Sequence, residues 1–157
     1  MANLNVLTKV SKDATLYTIL APASLVAGNA VELLTRNASS TFNVQEPTAI
    51  TTLGVAIAIP VTLPYGVETE ENDFVIATGA DVRVVIPYKG MMVDFPVANV
   101  TATVAVAENA YVIIDAGAYK MECVASLGGT ESVAFQIART YTLAGVAMFS
   151  MRCVKSL

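Results

Sequence analysis

Apolar and polar residues alternate with a period of two over most of this chain. The runs are short and are punctuated by glycine-containing turns, a pattern that predicts strands rather than helices. Residues 81–87 (DVRVVIP) put Val82, Val84 and Ile86 on one face. Tyr88-Lys89-Gly90 then reads as a turn and residues 91–97 (MMVDFPV) as the returning strand, so 81–97 predicts a hairpin. Pro87 and Pro96 lack the N–H that a ladder needs and belong at strand ends or edges. A second hairpin is predicted from residues 111–115 (YVIID), a turn at Ala116-Gly117, and residues 119–124. Gly128-Gly129 opens a loop before residues 132–142, and Gly145 leads into residues 146–154. In that last run Ala147, Phe149, Met151 and Cys153 alternate with Val146, Met148, Ser150, Arg152 and Val154; the first set is more apolar and is expected to face the core. Only residues 21–34 and 98–109 invite a helix. Gly28 interrupts the first and the second alternates at period two, so both read as strand and loop, with room for one short helix.

The pattern also repeats. Residues 26–38 (VAGNAVELLTRNA) return eighty positions later as residues 106–118 (VAENAYVIIDAGA), and the match runs without a gap to Leu63 and Leu143. Identical pairs include Val26/Val106, Ala27/Ala107, Asn29/Asn109, Ala30/Ala110, Val44/Val124, Ile57/Ile137 and Ala58/Ala138, more than an Ala- and Val-rich chain yields by chance. Two copies are too few for a solenoid, so they are expected to pack on each other. The expected fold is all-β, a compact barrel- or sandwich-like single domain over residues 1–157. Its two related halves, at about 20–65 and 100–145, would be joined by an acidic loop and the hairpin, residues 66–97.

Composition narrows the function classes. Hydrophobic residues make up 55% and charged residues 14% of 157 positions, which leaves little charge to cover a monomer and fits either surface buried against a partner or a small β-protein with a generous core. The net charge is −4 and Lys and Arg are scattered, which argues against nucleic acid. The N-terminus (MANLNVLTKVSKD) lacks the order of a signal peptide, and the apolar stretch 50–63 is short and holds Pro60, so a protein made in the cytoplasm and not inserted in a membrane is expected.

Candidate chemistry is sparse. The chain has no histidine, which removes Ser-His-Asp and Cys-His catalysis and His-ligated metals. Cys123 and Cys153 fit no metal spacing and are expected to be buried free thiols. The acidic segment 65–73 (Glu68, Glu70, Glu71, Asp73) lacks the calcium-loop pattern and reads as solvated. Gly128-Gly129 is too isolated to hold a phosphate. Asp94 and Asp115 are the carboxylate pair a glycosidase would require, although there is no Trp to stack a sugar. No catalytic, metal or cofactor residues are therefore assigned. Tyr, Met and Lys near the predicted hairpin tip suit a protein interface, and Tyr88, Lys89, Met91 and Met92 are the partner-binding candidates.

The stretches DVRVVIPYKGMMVDFPV, VAENAYVIIDAGAYK and ESVAFQIARTYTLAGVAMFSMRCV, together spanning residues 81–154, resemble small phage capsid decoration (cement or head-stabilising) proteins. The likeness rests on the hairpin, on the turn-and-strand segment carrying Asn109, Tyr111, Val112, Asp115, Gly117 and Tyr119, and on the closing strand pair. It implies a non-catalytic β-rich protein on the exterior of a virion, bound to the shell of the major capsid protein, often as a trimer, with no cofactor. The alternatives are another head or tail subunit such as a tail-tube protein, and a carbohydrate- or ligand-binding β-module. Tube subunits usually need a long inter-subunit hairpin, for which 81–97 is the one candidate and is short.

Overall fold

The computed structural model describes residues 15–37, 41–59 and 75–157; the acidic segment 65–73 lies outside the described residues. Eleven strands form there: β1 Leu16–Leu20, β2 Ala30–Arg36, β3 Phe42–Gln45, β4 Val55–Ala58, β5 Asp81–Val85, β6 Met92–Pro96, β7 Val100–Ala102, β8 Tyr111–Ile114, β9 Met121–Val124, β10 Val133–Leu143 and β11 Val146–Ser156. The all-β expectation holds, and the short helix reduces to a 3₁₀ turn at Val97–Asn99. Strands β1 to β5 close into a barrel in the order β1-β3-β2-β4-β5, and the others form a curled six-stranded sheet in the order β6-β11-β10-β8-β9-β7.

Residues 81–97 do not form the expected hairpin. β5 pairs with β1 and β4 in the barrel, whereas β6 pairs with β11 in the other sheet. The turn between them is real, closed by Met91 N–H donating to Tyr88 O at 3.0 Å with Gly90 at φ +91°. A turn signal says only that the chain reverses, and burial decides what each arm then pairs with. Here the chain crosses between sheets, and Gly90 N–H to Cys153 O and Cys153 N–H to Met91 O, both 2.8 Å, fasten the crossing to β11. The hairpins at 111–124 and 133–156 do form, the latter with Ala144 and Gly145 both at positive φ in its two-residue turn.

Two apolar cores result. One lies inside the barrel and is built from Ile19, Val31, Ala56, Ala58, Val82 and Val84, with Leu33, Phe42 and Val44 at its margin. The other lies between the sheets, where Ala30, Val55, Ile57 and Val85 from the barrel meet Val93, Phe95, Val112, Ile114, Phe135, Ile137, Phe149, Met151 and Cys153. All four residues of β4 are buried, alternately in one core and the other. On β11, Phe149, Met151 and Cys153 face the shared core as expected, but Ala147 is exposed beyond it, near the hairpin tip.

The two sheets share a strand order: β3-β2-β4 in the barrel parallels β9-β8-β10 in the second sheet. Ala30, Val31 and Glu32 lie opposite Ile57, Ala56 and Val55, while Tyr111 and Val112 lie opposite Gln136 and Phe135, the same register moved by eighty residues. Strand parity is retained: Ala30, Val55 and Ile57 and their counterparts Ala110, Phe135 and Ile137 all face the shared core. Val31 and Ala56 line the barrel, whereas Tyr111 and Gln136, eighty residues on, lie on the face turned away from the shared core.

Close joints hold the sheets together. Asn99 Nδ2 donates to Ala27 O at 2.9 Å, Gly117 N–H to Pro47 O at 2.8 Å and Ser132 N–H to Ile50 O at 2.9 Å. The β8–β9 loop delivers Tyr119 to the barrel core, and its carbonyl accepts Ala30 N–H at 2.7 Å. Gly28 takes φ +88°, and a Cβ there would stand 3.0 Å from the Phe95 ring. Gly79 takes φ +81° with nothing within 4 Å of such a Cβ. Gly28→Ala is therefore expected to lower unfolding free energy by about 2–4 kcal/mol, from backbone strain plus overpacking, and Gly79→Ala by about 1 kcal/mol from strain alone. Urea melts of the two variants check the ranking; equal losses would remove the Phe95 contact as a constraint.

Candidate functional site

Residues 88–92 carry the partner candidates, and the structure separates them. Lys89 is exposed at the turn; Tyr88 is half-buried against the shared core. Met91 is fully buried in that core, which corrects its assignment to a binding surface. The reason is strand parity. Consecutive side chains point to opposite faces, so Met91, Val93 and Phe95 go inward while Met92, Asp94 and Pro96 go outward, and the two methionines cannot both meet a partner. Met92 is half-buried on the outer face opposite Arg152. Of the other methionines, Met121, Met148 and Met151 are also buried.

The outer face around β6 holds an unexpected polar cluster. Asp94 and Ser150 are cross-strand partners, and both are at least 96% buried. Tyr141 reaches from β10 across β11, and its hydroxyl donates to Asp94 Oδ2 at 3.1 Å. The Arg139 guanidinium lies over the Tyr141 ring, 4.8 Å from its centre. Asp94 Oδ1 is buried without a hydrogen-bond partner. Burial, then the Asp94 charge and its hydrogen bond, push the Tyr141 hydroxyl above its ordinary pKa, with Arg139 opposing. Asp115 sits past the end of β8, three strand positions from β6 in the sheet order. At the usual strand spacing that is about 14 Å, beyond the roughly 5–9.5 Å of a glycosidase pair, so Asp94 and Asp115 are not brought together.

The Gly128-Gly129 loop does hold an anion, but it is the protein's own. Gly128 N–H and Gly129 N–H donate to Glu131 Oε1 and Oε2 at 2.5 and 2.8 Å, and Lys155 Nζ donates to Gly129 O at 2.8 Å. Glu131 is buried, and its carboxyl is held below its ordinary pKa. Its own backbone N–H contributes most, burial opposes, and the two glycine N–H groups and Lys155 add to the lowering. The sequence signal was available as an acid two and three residues after a glycine pair. Such loops form a nest of N–H groups that favours negative charge.

Cys123 and Cys153 are free and buried, as expected. Burial pushes the Cys153 thiol up to about 11, and burial followed by the Glu122 charge raises Cys123, so neither is poised as a thiolate at neutral pH. Among the described residues no three His, Cys, Asp or Glu side chains cluster as metal ligands, and no helix is long and apolar enough to cross a membrane. A scan against protein-family models and a search of curated proteins both return no match for this chain.

Two outcomes test these internal sites. Tyr141→Phe leaves the buried Asp94 carboxylate without its hydroxyl donor and is expected to cost about 1–3 kcal/mol; in an Asp94→Asn background the cost should shrink, as a double-mutant cycle of urea melts would show. For Glu131 the folded pKa lies below the unfolded value of about 4.3. Its stabilisation is thus complete above the unfolded value and is lost as pH falls through the folded one. The stability gap between the natural protein and Glu131→Gln should be constant near neutral pH and narrow once pH falls below the unfolded value, and a gap independent of pH would contradict the assignment.

Proposed function

We propose that this protein is a phage capsid decoration protein, a non-catalytic β-scaffold that binds the outside of an assembled shell and stabilises it. Residues 81–154, which carry the resemblance, fold as β5 and the whole six-stranded sheet. The observation that carries the reading is where the reactive groups go. Both thiols, Asp94 and Glu131 are taken up inside the fold, while Leu16, Leu20, Leu34, Leu53 and Val75 stay exposed on a doubly cored frame. Rigid scaffolds with modest apolar contacts gain strong binding to a lattice by attaching at several points at once. The partner would be the shell of the major capsid protein, and the bound form a homo-oligomer on the virion exterior.

One observation favours a second reading, that of a tail-tube subunit. The long hairpin such a subunit uses is not at 81–97 but at β10–β11, eleven residues per strand, paired from Val133 with Ser156 to Leu143 with Val146. β6 flanks β11 as far as Met148, the partner of Tyr141, so only the tip of this hairpin, residues 142–147, extends beyond the sheet. Co-sedimentation with capsids that lack the protein separates the two. Saturable binding at a fixed ratio to the capsid subunit, with shells that rupture at higher temperature, is the expected outcome. Absence of binding to expanded shells, with polymerisation into tubes, would replace the decoration reading by the tube reading.

A further inference from the structure

We propose that the loop of residues 128–132 is an acid-released latch, in which the Glu131 carboxylate keeps the β3–β4 connection fastened to the second sheet. The device belongs to the fold and does not rest on the decoration reading. Residues 46–54 join β3 to β4 and are tied at three points. Gly117 N–H donates to Pro47 O at 2.8 Å and Ser132 N–H to Ile50 O at 2.9 Å, both from loops of the second sheet. At the far end Leu33 N–H of β2 donates to Gly54 O at 3.0 Å. Ser132 Oγ adds a second bond to Ile50 O at 3.2 Å, and Leu157 N–H donates to Ser132 O at 3.0 Å. Ser132 is thus the point where the middle of the connection, the start of β10 and the end of β11 are joined.

Of the three ties, the middle one depends on a charge. Ser132 directly follows Glu131, and both are buried. Gly128 N–H and Gly129 N–H donate to different oxygens of Glu131, and Lys155 Nζ holds Gly129 O, so the carboxylate sets the course of the chain into Ser132. A proton on either oxygen turns that oxygen into a donor facing an N–H and removes the charge that such a nest favours. Its own backbone N–H, the two glycine N–H groups and Lys155 hold the carboxyl below its ordinary range, against the burial that raises it. Lys155, from β11, is the charged side chain that bears on Glu131 among the described residues; Glu46, at the start of the connection, bears on Tyr119 instead. The closed loop is therefore fully favoured above the open-loop value of about 4.3, and it loses ground as pH falls through its own lower value. The Gly117 and Leu33 ties join backbone groups and carry no such dependence. Acid frees the middle of the connection while its two ends stay attached, a local opening that leaves both cores intact.

The test is amide hydrogen exchange of the full chain, read residue by residue by NMR from pH 7 to pH 3 and corrected for the intrinsic exchange rates. Protection of the Ser132 and Leu157 amides should be level near neutral pH and then fall by up to about tenfold per pH unit below the open-loop value. The Gly117 and Ile137 amides, bonded to Pro47 O and Ala110 O, should keep theirs over the same range. Glu131→Gln, whose side chain has a single acceptor oxygen as the protonated acid does, should show the low Ser132 protection already at pH 7 and no dependence on pH. If that variant fails to fold, the profile of the natural protein decides alone. Ser132 protection that stays level to pH 3, or that falls only together with Gly117 and Ile137, would overturn the latch. So would a folded Glu131→Gln whose Ser132 amide follows the natural profile.

Discussion

The fold depends on a strand with no solvent-facing side. Val55 and Ile57 of β4 point into the core between the sheets, and Ala56 and Ala58 point into the barrel. The sizes follow from geometry, since a five-stranded barrel is narrow and admits small side chains where its wall is shared, while the space between sheets takes the branched ones. Burying the two large side chains contributes about 1.5–3 kcal/mol each. The larger effect is that neither core can loosen without disturbing the strand common to both. The joints from Asn99, Gly117, Ser132 and Tyr119 are arranged around that shared wall.

How much of this was legible in the sequence differs by level. Period-two alternation identified the strands at 81–87, 91–97, 111–115, 119–124, 132–142 and 146–154 because alternation is a local consequence of one buried face. The partner of each strand was another matter. Tyr88-Lys89-Gly90 has the chemistry of a tight turn, and it makes one, but a turn joining two sheets and a turn joining two paired strands use the same residues. Met91 and Met92 were grouped as a surface although adjacent strand residues cannot share a face. The eighty-residue repeat was readable, and so were the equivalent positions. That the face away from the shared core closes into a barrel interior in the first half but not in the second was not, because Val31 and Tyr111 are both good strand residues in either setting.

Two carboxylates among the described residues, Asp94 and Glu131, are turned inward. Glu131 fills a nest of N–H groups that a foreign anion would otherwise suit, and Asp94 accepts from a tyrosine that crosses a neighbouring strand to reach it. The Tyr141–Asp94 contact ties β10 to β6 and Lys155 ties the glycine loop to β11, so they favour one arrangement of the second sheet over its neighbours. Of the carboxylate pair weighed for catalysis, Asp94 is thereby committed to structure. No spacing rule in the sequence could reveal this, since Asp94 and Tyr141 meet only after β10, β11 and β6 are aligned.

The closure of the barrel has a consequence for how the chain reaches its native state. β1 completes the wall by pairing with β5, so Leu16 must find Val85 and Leu20 must find Asp81 across nearly the whole first half. β10 and β11, by contrast, meet through a two-residue turn. Contacts that close long loops form late, because their entropy is lost before the contact repays it. During synthesis the barrel has to wait, unsealed, until β5 has left the ribosome. The β10–β11 hairpin needs only its own residues, so when the whole chain refolds it can settle before the barrel is sealed.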